Sequence, residues 1–361
     1  MRKYLLIFLA LVSFTAAAQK LKPGFDKAEY EELMRVSART TAKKAYYDTM
    51  PAPQHFKMLY QSPSIGMDNL WDLWLDENNV GAISLRGTTA KPISWLANFY
   101  AGMVPAQGEL QVSKDFLFKY KLASNPKAAI HTGWLLCLGF LSRDILPRMD
   151  SLYKTGVKDF LIMGHSQGGA IAYLLTAYLY NLQKDGALPA DIRFKTYCSA
   201  GPKPGNLYFA YDYESMTQMG WAYNVVNSAD WVPETPLSIQ TTNDFNTMNP
   251  FAGAKAMLGK QSFPKNIILK NVYGRMDRIT KRAVRRYCRN MGYRVGKMLK
   301  KQLPGFEPPK TYLQTLDYVR AGNYITLLAD EDYYNHYPDG GKDIFIHHIH
   351  KPYLYLLNKL K

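Results

Sequence analysis

Cysteine is scarce in this 361-residue chain: only Cys137, Cys198 and Cys288 occur, far apart, with no C-x-x-C pair and no Cys/His ligand spacing. That excludes a disulfide scaffold and a zinc site, allows one bridge at most, and makes small buried side chains of all three. Acidic residues are also short, 29 against 45 Lys and Arg, for a net charge of +16. Such a surface attracts anions. No stretch reaches the roughly 18 apolar residues that a membrane-spanning helix needs. There is no internal repeat and no low-complexity segment. With 47% hydrophobic and 14% aromatic residues the chain is a packed globular protein, and extensive disorder is excluded.

The N-terminus reads as an export signal. Arg2 and Lys3 precede an apolar run from Leu5 to Phe14, and Ala16-Ala17-Ala18 forms a small-residue cleavage site before Gln19. The expected organisation is a signal over 1–18, which is removed, and one domain over 19–361, periplasmic or secreted. No cysteine follows the apolar run to carry a lipid anchor.

The positive charge is concentrated. Twelve Lys or Arg lie between Lys270 and Lys301 against one acid, Asp277. Residues 273–303 read as helical, with Ile279, Ala283, Tyr287, Met291, Val295, Met298 and Leu299 three or four apart and basic residues opposite. A largely helical insertion over 240–330 follows, and 275–301 is a candidate for peripheral contact with an anionic membrane surface. No nucleic-acid partner is expected.

Elsewhere strands and helices alternate. Asp26 with Glu29 resembles a capping box opening a lead-in helix to about Thr41. Val80 to Leu85 is an apolar strand, Ser94 to Tyr100 helical, Ala128 to His131 extended, and Trp134 to Tyr153 helical. Then come a buried strand from Asp159 to Met163, a turn from Gly164 to Gly169 and a helix from Ala170 to Gln183, with further strands at Phe194–Ser199 and Ala222–Val226. This order predicts an α/β protein with a mostly parallel central sheet.

Gly164-His165-Ser166-Gln167-Gly168-Gly169 contains G-x-S-x-G, the pattern of a nucleophile elbow. The chain's Ser and Gly content gives roughly 0.08 such pentapeptides by chance, before a strand in front and a helix behind are required. Serine needs a histidine to take its proton and an acid to orient that histidine. In the order Ser, Asp, His, the acid belongs after a later strand, and Asp230 follows the strand end Val225-Val226-Asn227. The C-terminal run Phe345-Ile346-His347-His348-Ile349-His350 offers the base, whereas His165 is expected to pack into the turn.

Together these segments resemble the class 3, or fungal-type, lipases of the α/β-hydrolase fold. The resemblance spans Val80 to Asp230 plus the C-terminal histidine. It rests on Leu85-Arg86-Gly87-Thr88 followed by Ser94-Trp95-Leu96, on His131-Thr132-Gly133-Trp134, on the elbow, on Ser199-Ala200-Gly201-Pro202-Lys203-Pro204-Gly205-Asn206, and on Asp230-Trp231-Val232-Pro233, in the family's order. It implies helices on both faces of the sheet, Ser166 as nucleophile, Asp230 as acid, and an oxyanion hole from the N–H groups of Gln167 and Thr88, with the Thr88 hydroxyl as a third donor. For the base, His348 and His350 both fit the family's spacing to Tyr353, and His348 is favoured. No cofactor or metal is implied.

Many members carry Leu at the position of Gln167, so a more polar rim to the acyl pocket is expected here. A family lid would fall around Asn98 to Gln107, with Phe99, Tyr100, Met103 and Val104 as its apolar residues. The implied activity is hydrolysis of carboxylic esters of lipids by a lipase, esterase or phospholipase A1-like enzyme. The alternatives are a polysaccharide or feruloyl-type esterase, or an inactive hydrolase-fold protein that binds through its basic segment.

Overall fold

The computed structural model describes residues 20–40 and 44–360, so the expected signal over 1–18 lies outside the described residues. The central sheet has seven strands: β1 (Phe56–Gln61), β2 (Trp71–Asp76), β3 (Val80–Leu85), β4 (Asp159–His165), β5 (Arg193–Ser199), β6 (Ala222–Asn227) and β7 (Asn323–Leu327), adjacent in that order. β1, β2 and β3 pair antiparallel, and β3 to β7 pair parallel. Parallel strands need crossovers, and a sheet buried on both faces reads as continuous apolar runs, as in Phe160-Leu161-Ile162-Met163.

Alternate residues of those runs feed two cores. Phe160 and Ile162 join a large cluster with α3 (Thr132–Lys154) and α4 (Gln167–Lys184). Leu161 and Met163 join a second with α1 (Lys27–Thr40) and the C-terminal helix α7 (His350–Lys359). The helix α2 (Pro92–Phe99) follows β3 and packs on α3. α1 starts as expected, with Asp26 accepting from the Glu29 N–H at 3.0 Å. The Glu29 carboxylate does not close the box but pairs with Lys195 at 2.6 Å.

Three expectations change. Ala129–His131 is extended, yet it pairs antiparallel with Met103–Pro105 and with Gly205 in a small four-stranded sheet outside the central one. Three buried residues carry no signal for which neighbour they join. The helices of the insertion, α5 (Lys265–Tyr287), a π-helical stretch Cys288–Arg294 and α6 (Val295–Gln302), end well before residue 330. Within 240–330, Asn323–Leu327 is β7 of the central sheet, as its Tyr, Ile and Thr favour. The body-facing side of the insertion is only partly the one read from spacing, since Val295 and Leu299 belong to it as expected. Val284, Cys288, Val295 and Leu299 are buried, whereas Ile279 and Met298 are exposed. All three cysteines are buried and free. Among the described residues no helix is long and apolar enough to cross a membrane.

Candidate active site

The segments expected to carry chemistry leave the sheet at one edge, because Thr88 follows β3, Ser166 follows β4 and Asp230 follows β6. In parallel sheets the carboxyl ends of the strands are where loops diverge and ligands bind. Between β4 and α4 the chain turns in one residue. Ser166 takes φ +62°, ψ −131°, a conformation that costs a non-glycine residue of order 1–3 kcal/mol and persists only when its surroundings enforce it. The enforcement is visible in the glycines. A Cβ on Gly164 would lie 2.1 Å from the Gly168 carbonyl oxygen, and one on Gly168 2.1 Å from that of Leu85. Only glycine lets β3, β4 and α4 approach so closely. Gln167 opens α4, where N–H groups of the first turn lack helical partners and the helix dipole favours negative charge.

Asp230 is fully buried at its side chain and held by a turn, its N–H donating to the Asn227 carbonyl. Its Oδ1 accepts from the Val232 N–H at 3.0 Å. Its Oδ2 accepts from the Tyr353 hydroxyl at 2.7 Å and lies 2.7 Å from His348 Nδ1. The carboxylate only accepts, so the neutral imidazole carries its proton on Nδ1 and turns an unprotonated Nε2 away from Asp230. His348 and Ser166 line one pocket of about 950 Å³. Its walls include Trp95, Phe99, Trp231, Leu237, Met291 and Phe345.

The other histidines are taken up elsewhere. His350 lines the pocket, but its Nδ1 meets the Tyr46 hydroxyl at 2.7 Å and its Nε2 meets Ser37 Oγ at 3.2 Å. Burial, with the charge of His348 second, holds its pKa down to about 3. His347 bonds Tyr333 and Asp339. His165 does more than pack. Its Nε2 lies 2.6 Å from the His348 carbonyl oxygen, so that nitrogen carries the proton, and Nδ1 faces Ser199 Oγ at 3.0 Å. Tyr30 of α1 reaches the same Ser199 hydroxyl at 2.7 Å. A chain from Tyr30 through Ser199 and His165 thus fixes the backbone of His348. Burial and the neighbouring His350 and His348 push the His165 pKa far down.

Two residues to which the sequence assigned no chemical role organise the loop after β3. Asp68 accepts from Thr89 Oγ1 and Lys91 Nζ, both at 2.7 Å, and its backbone carbonyl accepts from Arg86 at 2.6 Å. Burial opposes ionisation of Asp68, but the bonds from Lys91, Ser64 and Thr89 prevail and hold its pKa at about 2. Asn98 Oδ1 accepts from Gln167 Nε2 at 2.7 Å and Trp134 Nε1 at 3.1 Å, and its Nδ2 donates to Thr88 Oγ1 at 2.9 Å. An indole N–H can only donate, which settles the orientation of the amide. Thr88 therefore accepts, and its own hydroxyl hydrogen is free.

The Gln167 amide, expected to make the rim polar, is bonded to Asn98 and to the Ser94 carbonyl at 3.0 Å. Of the expected lid residues only Phe99 is exposed. Tyr100, Met103 and Val104 are buried in the body. Met103 and Val104 are pinned there by the small sheet, which includes Met103–Pro105.

Residues 82–239 match the family of class 3 lipases. The matched stretch runs from within β3 through β6 and includes the elbow and Asp230. His348 lies outside the matched stretch. Similar solved structures include lipase II from Rhizopus niveus, at 21% identity and TM-score 0.42, covering 58% of this chain and 74% of that one. The Rhizomucor miehei lipase propeptide complex is similar at 20% identity and TM-score 0.42, covering 60% and 65%. The mono- and diacylglycerol lipase from Aspergillus oryzae is similar at 17% identity and TM-score 0.41, covering 60% and 76%. No curated protein matches the chain.

Proposed function

We propose that this chain is an exported serine hydrolase that cleaves carboxylic esters of lipids through an acyl-enzyme, with Ser166 as nucleophile, His348 as base and Asp230 as the orienting acid. The observation that carries the reading is the His348–Asp230 bond of 2.7 Å beside an elbow serine, in a pocket walled by aromatic and aliphatic side chains. Apolar walls suit an acyl chain better than a polysaccharide.

In the first half-reaction Ser166 Oγ attacks the ester carbonyl carbon as His348 Nε2 takes its proton. The negative charge that develops on the carbonyl oxygen is met by the N–H groups of Gln167 and Thr88 and by the Thr88 hydroxyl, which Asn98 leaves free to donate. Such donors contribute about 2.7–4 kcal/mol each to the transition state. His348 then gives its proton to the leaving alcohol oxygen. In the second half, water surrenders a proton to His348 and attacks the acyl carbon, and the returned proton restores Ser166 as the acid departs. This chemistry needs only side chains and backbone donors.

Export follows from the signal expected over 1–18, and peripheral contact with an anionic lipid surface from the basic residues of 275–301. A fluorophosphonate probe tests the central claim, because it labels only an activated serine. Labelling of the wild type that is lost in Ser166→Ala, together with hydrolysis across a series of acyl-chain lengths, is expected. An unlabelled wild type overturns the reading.

A further inference from the structure

α5 and the π-helical stretch that continues it carry apolar side chains on two sides, and only one side faces the protein. At 3.6 residues per turn, Val284 and Cys288 share a side with Asp277, and all three are buried against the body. About two-fifths of a turn away, Ile268, Val272, Met276 and Ile279 line up at spacings of four, four and three, and are 57%, 62%, 49% and 69% exposed. Phe263, just before the helix, is 79% exposed. The first half of α5 packs on the short helix Ala254–Gly259, and the two form an arm with bare aliphatic side chains.

Charge identifies the occupant of that stripe. Between residues 245 and 306 there are fifteen Lys or Arg and a single acid, Asp277. That acid is spent internally, at 2.8 Å from Lys281 Nζ and 2.6 Å from Thr242 Oγ1. A second copy docked on the same face would set one cationic surface against another, which self-repulsion opposes. A nucleic acid would meet the charge and leave the aliphatic stripe uncovered. An anionic bilayer meets both, with headgroups for the basic residues and an acyl layer for the stripe.

We propose that residues 254–279 form an insertion arm that buries Ile268, Val272, Met276 and Ile279 in the acyl layer of an anionic bilayer while the basic residues of 275–301 lie against the headgroups. The inference rests on the lipid-hydrolase reading for its choice of surface and deepens it by naming the docking element. The body-facing half of the insertion reaches the pocket itself, since Tyr287 and Met291 line it. Docking through the arm would therefore bring the lipid surface close to the pocket that holds Ser166.

The test uses the full-length mature protein and vesicles of equal parts phosphatidylglycerol and phosphatidylcholine. Val272→Cys is labelled with an environment-sensitive fluorophore, the native cysteines being buried. A blue shift on adding vesicles is expected, and an unshifted spectrum overturns insertion. A variant with Ile268, Val272, Met276 and Ile279 all changed to Ser is expected to bind these vesicles at least about tenfold more weakly than wild type. Arg282, Arg285, Arg286 and Arg289 changed together to Gln are expected to weaken binding at low salt and to reduce its salt dependence. If the Ser variant binds like wild type, if it dissociates a wild-type dimer, or if the wild type binds a DNA duplex but not vesicles, the arm is not a membrane element. Turnover of a soluble short-chain ester is read alongside and is expected to be unchanged in both variants. Loss of fluorophosphonate labelling or of that turnover in the wild type counts against the hydrolase reading, whereas vesicle binding judges the arm alone.

Discussion

Replacing Asp230 with Asn changes one atom of the site, and its effect can be worked from the four contacts around it. Oδ1 accepts from the Val232 N–H, so the Asn side chain keeps its oxygen there and places Nδ2 where Oδ2 was, facing Tyr353 and His348. The Tyr353 hydroxyl can rotate and accept instead. His348 cannot adapt without loss, because an Nδ1 that accepts from Asn leaves the ring proton on Nε2, the nitrogen that must receive the proton of Ser166. The imidazolium formed during the reaction also loses its counter-charge. Inversion of the tautomer in a Ser-His-Asp arrangement lowers kcat by about 10⁴, equivalent to roughly 5 kcal/mol of barrier. Stability should change little, because three of the four contacts have a neutral counterpart. Tyr353→Phe, which removes one bond to Oδ2 and leaves the tautomer alone, should cost only about tenfold. Both are read as kcat/KM on a soluble ester, with circular dichroism to establish folding. A folded Asp230→Asn protein that retains more than about a tenth of wild-type kcat/KM would refute this reasoning and remove Asp230 from the mechanism.

The histidines separate by outcome: His348→Ala should match the loss in Ser166→Ala, whereas His350→Ala should lower stability by about 1–3 kcal/mol and keep most activity in protein shown to be folded. Equal kinetic losses in the two would sink the assignment of His348. Asn98→Leu releases Thr88 and should lower kcat about tenfold with KM little changed; a change confined to KM would place Asn98 in binding alone. Acid should unfold the protein through its buried imidazoles, since burial holds His131 and His350 at about 3 while the unfolded chain takes up protons near 6.5. Their contribution is complete above pH 6.5 and falls as the pH drops toward 3, and a melting temperature flat between pH 7 and pH 4 would contradict it. Asp72 has the opposite sign, because burial raises its carboxyl to about 6. Asp72→Asn should therefore raise the melting temperature above pH 6 and leave it unchanged below pH 4.

Much of the site was legible because its chemistry is bound to local geometry. The elbow needs glycines at fixed offsets, and β3 and β4 are apolar runs that only a sheet buried on both faces tolerates. Asp68 and Asn98 were not legible, since most of their partners lie ten or more residues away and an isolated polar residue carries no periodic signal. The same holds for His165, whose role is a single bond to a carbonyl 183 residues further on. Spacing misplaced part of the apolar face of the insertion for a different reason. The helix and its π-helical continuation bear apolar residues on two sides, and a count of apolar residues three or four apart merges them. β1 and β2 were passed over because their partners lie on one antiparallel side of an otherwise parallel sheet, where no crossover helix marks them.

The clamp on His348 bears on how the protein becomes active after synthesis. Its contacts join α1 and Tyr46 to the segment before α7 and to the first residue of α7, with Tyr46 and His350 separated by 304 positions along the chain. Contacts between such distant positions close large loops, which costs entropy and slows their formation relative to local helices and hairpins. In refolding from denaturant, far-ultraviolet dichroism should recover before ester hydrolysis, and the interval between them measures the docking of the two chain ends.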